Sequence, residues 1–449
     1  MKKTTWVPTV LITTGLLAAA CPLAAQPQAL TLERAIEIAV DGNRELKAAD
    51  ARLEAAAAVA EEARAERLPR LDLAAQIQAT DNPVLVFSNL LGQANFQQQN
   101  FALDELNQPD PLNNWKTRLA VTQPLWTAGR IRHAVGAAEL AHDAAGSERE
   151  ARRQRVVHRV IEAYTAAVLA GRELEVTRQS LETAGAHVKL VSDLRRGGLV
   201  VESDVLQAEV RESEVRELVI RAESGVEITR AALNLALGRD LATPVVLPQD
   251  LELEPRAGGA ASDPAALVAR ALDRRPDLAA ARRLTAAAGR RLDLERAARR
   301  PVVGLEGSWE ANAEDFFGAD GDNWTLAVGF EVNLFDGHRR RSRARRADAE
   351  RREAAERAAL LAESIGLEVR RVASELRAAE ARREQAELSV ALAERSHGIV
   401  EDRYREGLTV LTELLDAETA LTRARLRQLA AGRDVLLARA TLDLATGDL

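Results

Sequence analysis

The chain of 449 residues is long enough for a large core. Yet 3% aromatic and 47% hydrophobic residues, many of them Ala and Leu, suit long thin helices better than a compact globule. Its 61 basic and 68 acidic residues leave a net charge of -7 and no basic face for nucleic acid, and a single cysteine excludes an intrachain disulfide framework.

Residues 1–25 read as a secretory signal. Met1-Lys2-Lys3 supplies the positive start, and the apolar run from Trp6 to Ala20 is too short for a comfortable membrane span. Small residues permit cleavage after Ala25. Ala19-Ala20-Cys21 is also compatible with lipid attachment at Cys21, although Ala18 stands where leucine is usual and Pro22 follows. Beyond the signal no run of about 18 apolar residues occurs, so no transmembrane helix is expected.

The rest divides into two copies of one plan, 26–237 and 263–449, joined by a Pro- and Gly-bearing linker at 238–262. Each copy opens on Ala-, Glu-, Leu- and Arg-rich sequence with helical spacing, at 31–68 and 263–300, which predicts one long helix or a helix pair. Leu278 stands in the place of Leu46 and Pro301 in the place of Pro69, at the same offset.

After each of these prolines the period changes to two. Leu71, Leu73, Ala75, Ile77 and Ala79 share one face of a predicted strand, with Asp72, Gln76 and Gln78 on the other. An Asn- and Gln-rich excursion from about 80 to 114 leads to a second strand between Trp115 and Trp126. In the second copy Val303, Leu305, Trp309 and Ala311 alternate with Glu306, Ser308 and Glu310. An acidic turn around 314–323 then precedes Trp324, Leu326, Val328, Phe330, Val332 and Leu334, which alternate with polar or small residues.

Strands of about ten residues suit a tilted crossing of a bilayer, and Trp115, Trp126, Trp309 and Trp324 at their ends are candidate membrane-interface aromatics. A soluble sheet with one wet face is the competing reading. Four strands cannot close a membrane barrel, and lipid forbids an open edge, so spanning strands imply that several chains share one barrel.

From about 129 to 196 and from about 337 to 405 there is no proline and hardly a glycine, which predicts two helices of about 100 Å. The return legs, about 202–237 and 412–446, are half as long and are expected to stack end to end on the helices at 31–68 and 263–300. Each reversal carries a Gly-Leu step, Gly198-Leu199-Val200 and Gly407-Leu408-Thr409. A carboxylate and a fresh apolar helix follow each one.

The opening LTLERAIEIAVDGNRELKAA, the strand exits TQPLWTAGR and EVNLFDGHRR, the reversals RRGGLVVESDVLQAEV and RYREGLTVLTELLDAETAL, and the closing LALGRD and LDLATGD resemble the TolC family of outer-membrane efflux channels. The resemblance covers nearly the whole mature chain. It implies an α+β membrane protein whose long helical hairpins form a periplasmic helical barrel. Four transmembrane strands per chain would join a shared 12-stranded barrel of a homotrimer in outer-membrane lipid. Its implied partners are a periplasmic adaptor and an inner-membrane pump, in an efflux or type I secretion system.

The resemblance also makes Gly198, Leu199, Val200, Gly407, Leu408 and Thr409 the tips on which the adaptor docks. It places Glu413 and Asp416 where carboxylates narrow the closed mouth, and Asp204 and Tyr404 where a hydrogen bond latches the hairpins. Thr409 departs from the best-known member's pattern, in which a basic gating residue is expected, so the latch is expected to be weaker or made differently. Spacing of three puts Glu413 and Asp416 on one helix face, and three-fold symmetry would turn each into a cation-favouring ring.

No phosphate loop, metal-ligand cluster or nucleophile and base constellation is present in the sequence, so no catalysis, cofactor or metal is expected. The rival from another class is a periplasmic structural or adaptor coiled coil with a soluble β domain.

Overall fold

The computed structural model of the chain describes residues 29–248 and 263–449. The expected signal segment, the candidate lipid site at Cys21 and most of the expected linker lie outside the described residues.

The first pass of the chain is α1 (Leu32–Gly42), α2 (Arg44–Ala65), β1 (Arg70–Thr80), α3 (Pro83–Gly92), a 3-10 turn (Gln98–Phe101), α4 (Leu103–Asn107), β2 (Leu112–Trp126), α5 (Arg130–Arg196) and α6 (Glu202–Leu237). The second is α7 (Pro264–Arg274), α8 (Pro276–Ala297), β3 (Val302–Ala313), β4 (Gly321–Glu331), α9 (Arg339–Arg405) and α10 (Leu411–Thr446). α5 and α9 each have 67 residues and α6 and α10 each have 36, which sets the two hairpins at equal length.

The opening sequence of each copy is a helix pair. Asn43 leaves α1 in an extended conformation and its side chain accepts from Glu45 N at 2.8 Å, capping α2. In the second copy the same break falls at Arg275. There Pro276 occupies the first helical turn, where a missing N–H costs nothing.

Each return leg ends against this joint, as the expected end-to-end stacking requires. Gly238 closes α6 at φ +72 and approaches α1 so closely that a Cβ there would stand 2.9 Å from Gly42 O. Gly447 closes α10 at φ +80, where a Cβ would meet the Arg274 carbonyl carbon at 3.0 Å. Around these joints two matching cores form. Val156, Val160 and Tyr164 pack with Ala35, Leu46 and Leu233 in one; Ile365, Val369 and Ala373 pack with Leu267, Leu278 and Leu442 in the other.

The sheet has the order β1-β2-β3-β4, antiparallel throughout. Its register aligns the apolar residues of every strand. Leu73 faces Leu119, which faces Trp309, which faces Trp324; Leu71, Val121, Gly307 and Leu326 form the adjacent row. The other face is polar, with Glu310 taking Lys116 at 3.1 Å and Arg118 at 3.4 Å. Pro124, which has no ladder N–H to give, sits at the one register shift of β2.

One strand expectation is corrected. β4 ends at Glu331, short of Val332 and Leu334, because its outer edge has no partner in a single chain to hold the ladder further. The excursion after β1, to which the sequence reading assigned no element, contains short helices. Asn82 Oδ1 accepts from Val84 N and Leu85 N to start α3, with Pro83 in its first turn. Gln93 and Asn114, both buried, tie α3 to the sheet through the Asn312 amide.

Candidate functional site

The two reversals have one geometry. Arg195 O accepts from Gly198 N at 2.9 Å and Leu194 O from Leu199 N at 3.0 Å; Tyr404 O accepts from Gly407 N at 3.0 Å and Arg403 O from Leu408 N at 2.8 Å. Both pairs close the last helical turn around a glycine in the left-handed region, φ +72 at Gly198 and +71 at Gly407. No atom stands within 4 Å of where a Cβ on either glycine would be, so positive φ alone selects glycine there. The turns present Leu199, Val201, Leu408 and Val410 to solvent, more than 60% exposed. Val200 turns inward, half-buried against the hairpin core.

The returning helices start alike. Asp204 Oδ2 accepts from Val201 N at 3.3 Å at the head of α6. At the equivalent place in α10, Glu413 accepts from the Thr409 hydroxyl. Thr409, which stands where a basic residue was expected, thus bonds to a carboxylate of its own reversal. Glu413 and Asp416 are both exposed at the head of α10.

Behind the turns the four long helices share a small core of Val191, Val205, Ala208, Tyr404, Leu411 and Leu414. Tyr404 is 7% exposed, and burial pushes its hydroxyl pKa up, with the nearby Asp204 charge adding to the effect. Within the single chain Tyr404 Oη makes no hydrogen bond, and Asp204 Oδ2 accepts from Val201 N at the head of its own helix.

One level deeper lies a pair that the sequence reading missed. His187 of α5 and Glu418 of α10 face each other with Nε2 and Oε2 3.6 Å apart and side chains 9% and 5% exposed. The signal was present as polar residues set in apolar stripes, Ala184-His187-Val191 and Leu411-Leu414-Glu418. Burial pushes the His187 pKa down, with Glu401 opposing and His397 and Arg405 reinforcing. Burial pushes the Glu418 pKa up, with Arg211 opposing. A recess of about 450 Å³, lined by Gln179, Thr183, His187, Glu401, Tyr404 and Arg405, opens beside the pair. Among the described residues no group of three or more His, Cys, Asp or Glu side chains comes together as a metal site.

At the sheet, Trp126, Trp309 and Trp324 are exposed at 50%, 40% and 75%. Trp309 and Trp324 are register partners near the turn between β3 and β4, whereas Trp126 lies at the helix end of β2 opposite Val303. That separates the two levels by about 20 Å along the strand at ~3.3 Å per residue. Trp115 departs from expectation. It is 8% exposed, covered by Phe316 and Phe317, whose rings lie 4.4 Å and 5.0 Å from its own and stand in its place at the surface.

A sequence profile described as "Outer membrane efflux protein" matches residues 35–239 and 267–448. Protein CyaE of Bordetella pertussis is 28% identical over 351 residues, covering 76% of this chain and 72% of that protein. Outer membrane protein OprJ of Pseudomonas aeruginosa is 27% identical over 403 residues, covering 86% and 78%. The fold is similar to that of the outer membrane protein VceC of Vibrio cholerae, with a TM-score of 0.77 at 22% identity over 93% of this chain and 96% of that one.

Proposed function

The chain belongs to the outer membrane efflux protein family, and from that premise we propose that three copies of it form one exit duct of a tripartite efflux or type I secretion system. As a member of that family it is a channel protein of the outer membrane with its helical part in the periplasm. The observation that carries the proposal is the sheet: four strands with one continuous apolar face and two unpaired edges, β1 and β4. Lipid tolerates an apolar face but no open edge, so β4 of one chain must pair with β1 of the next. Three chains supply twelve strands.

The long helices support the same assembly. Among the described residues, every strongly exposed large aliphatic side chain on them lies on α6 or α9, for example Leu206, Ile220 and Ile228 on one and Leu367, Leu392 and Ile399 on the other; α5 and α10 carry none. α5 and α10 pack on each other within the chain. The apolar stripes of α6 and α9 are therefore left for a neighbouring subunit, and a periplasmic coiled-coil protein would leave the sheet's apolar face without a purpose.

In the working duct the tip residues Gly198, Leu199, Val200, Gly407, Leu408 and Thr409 receive a periplasmic adaptor hairpin. Glu413 and Asp416 ring the narrow end, and Asp204 and Tyr404 belong to the packed seam behind it. The two passes of the chain act as repeats. The chain performs no catalytic step, and the driving energy comes from an inner-membrane pump. The hairpins part when adaptor and pump engage. Fractionation of cells making the full chain tests the assembly. An outer-membrane, heat-modifiable trimer is expected; a monomer in mild detergent, or recovery in the periplasmic wash, overturns it.

A further inference from the structure

The His187 and Glu418 side chains are fully engaged by neither the tip nor the cores. Both Glu418 oxygens and His187 Nε2 are buried with no hydrogen-bond partner. They belong to different hairpins, and each lies eleven residues from the positive-φ glycine of its own reversal, so they meet at one level behind the tip. The same seam continues away from the tip through Ser180 and Thr422, hydroxyl to hydroxyl at 3.1 Å, and His158 and Thr441 at 3.0 Å. The repeat equivalent of Glu418 is Glu209, which is exposed on α6, so the first hairpin has no counterpart of this buried carboxyl at the same place.

We propose that His187 and Glu418 form a proton-binding site that fastens the two hairpins of one chain together and lets go when the proton is lost. A proton between Nε2 and Oε2 needs the 3.6 Å gap to close by less than about 1 Å to reach hydrogen-bond length. Without it, Glu418 is a carboxylate in a largely apolar seam, met by a neutral imidazole and by the field of Arg211, which Glu214 already shares. The recess beside His187 gives water a route to the site. The facing charges are Arg211 from α6, which is itself paired with Glu214 at 3.2 Å, and His397, Glu401 and Arg405 from α9; Glu401 is held by Arg405 at 2.5 Å.

Two opposed dependences follow. The Glu418 value is raised above 4.5, so its contribution to the packed seam is complete below that value and is lost as pH climbs through the raised one. The His187 value is lowered beneath 6.5, so its contribution is complete above that value and is lost as pH falls through the lowered one. Loss of the Glu418 proton therefore loosens the seam as pH rises, and protonation of His187 loosens it as pH falls.

That opening leads to conduction rests on the duct reading above, whereas proton binding does not. The test separates them. Hydrogen exchange of the full chain in detergent, corrected for intrinsic rates, is followed over α5 and α10 near 180–191 and 414–422. Protection should fall with rising pH by up to about tenfold per unit where Glu418 titrates. E418Q, which keeps a neutral side chain, should abolish that fall and remain protected. H187L should remove the loss on the acid side. Equal pH response in E418Q and the unmodified chain overturns the proposal, as does a seam whose protection does not change with pH. Planar-bilayer conductance measured in parallel judges the duct alone: no conductance at any pH sinks that reading and leaves the exchange result standing.

Discussion

Gly238 and Gly198 share φ +72 and differ in what surrounds them, which makes them a matched pair for testing how the hairpins are seated. An alanine at Gly198 meets nothing within 4 Å and should cost only left-handed backbone strain, about 1–2 kcal/mol. At Gly238 the same methyl would stand 2.9 Å from Gly42 O and 3.3 Å from Asn43 Cα, all rigid backbone at the joint between α1 and α2. Relief requires α6 to draw back from that joint, an overpacking cost of roughly 1–3 kcal/mol added to the strain. Gly447→Ala should repeat the larger effect, since its Cβ would meet Arg274 backbone at 3.0 Å. The assay is the midpoint of thermal unfolding of the detergent-solubilised protein at one scan rate, with hydrogen exchange across residues 36–46 to localise the damage. G238A and G447A should fall well below G198A, and G238A should expose the α1–α2 joint. If G198A is as destabilised as G238A, the end-to-end seating of the return legs is wrong.

Tyr404→Phe should leave thermal stability unchanged or raise it by up to about 1 kcal/mol, because it deletes a buried hydroxyl that has no partner. A clear loss of stability, or a rise in single-channel conductance, would instead support the expected latch between Tyr404 and Asp204. Glu413→Gln combined with Asp416→Asn should lower the cation preference of the pore, read as a shift in reversal potential across a salt gradient; an unaltered potential would show that these exposed carboxylates do not line the conducting path.

Much of the architecture was legible because the chain states its breaks chemically. The long helices end where Gly198 and Gly407 reach positive φ, and the strand faces follow a strict alternation that the register of Leu73, Leu119, Trp309 and Trp324 preserves. Legibility failed where a residue serves a contact distant in sequence. α3 hid in an Asn- and Gln-rich stretch whose amides, Gln93 and Asn114 among them, are buried fastenings. Trp115 matched an interfacial position, but its neighbours Phe316 and Phe317 arrive from about 200 residues away. His187 and Glu418 broke apolar stripes on two helices, a departure whose meaning depends on knowing that those stripes face each other.

The placement of polar and apolar contacts also says which seam can move. Within the chain, behind the small apolar core of Val191, Leu411 and Leu414, α5 and α10 meet through exchangeable groups, Ser180 with Thr422, His158 with Thr441, and His187 with Glu418. Water can replace such partners at a net cost of about 1 kcal/mol each. The stripes that α6 and α9 expose are aliphatic, and an assembled neighbour that covered them would resist separation by about 25 cal/mol for each Å² returned to water. A duct that opens by moving the second hairpin away from the first should therefore part inside each subunit, along α5 and α10, and keep its subunits joined. On that reading the resistance to parting comes from the small core at the tip and from a few polar contacts behind it, and the proposed His187 and Glu418 site is the one that a proton would change.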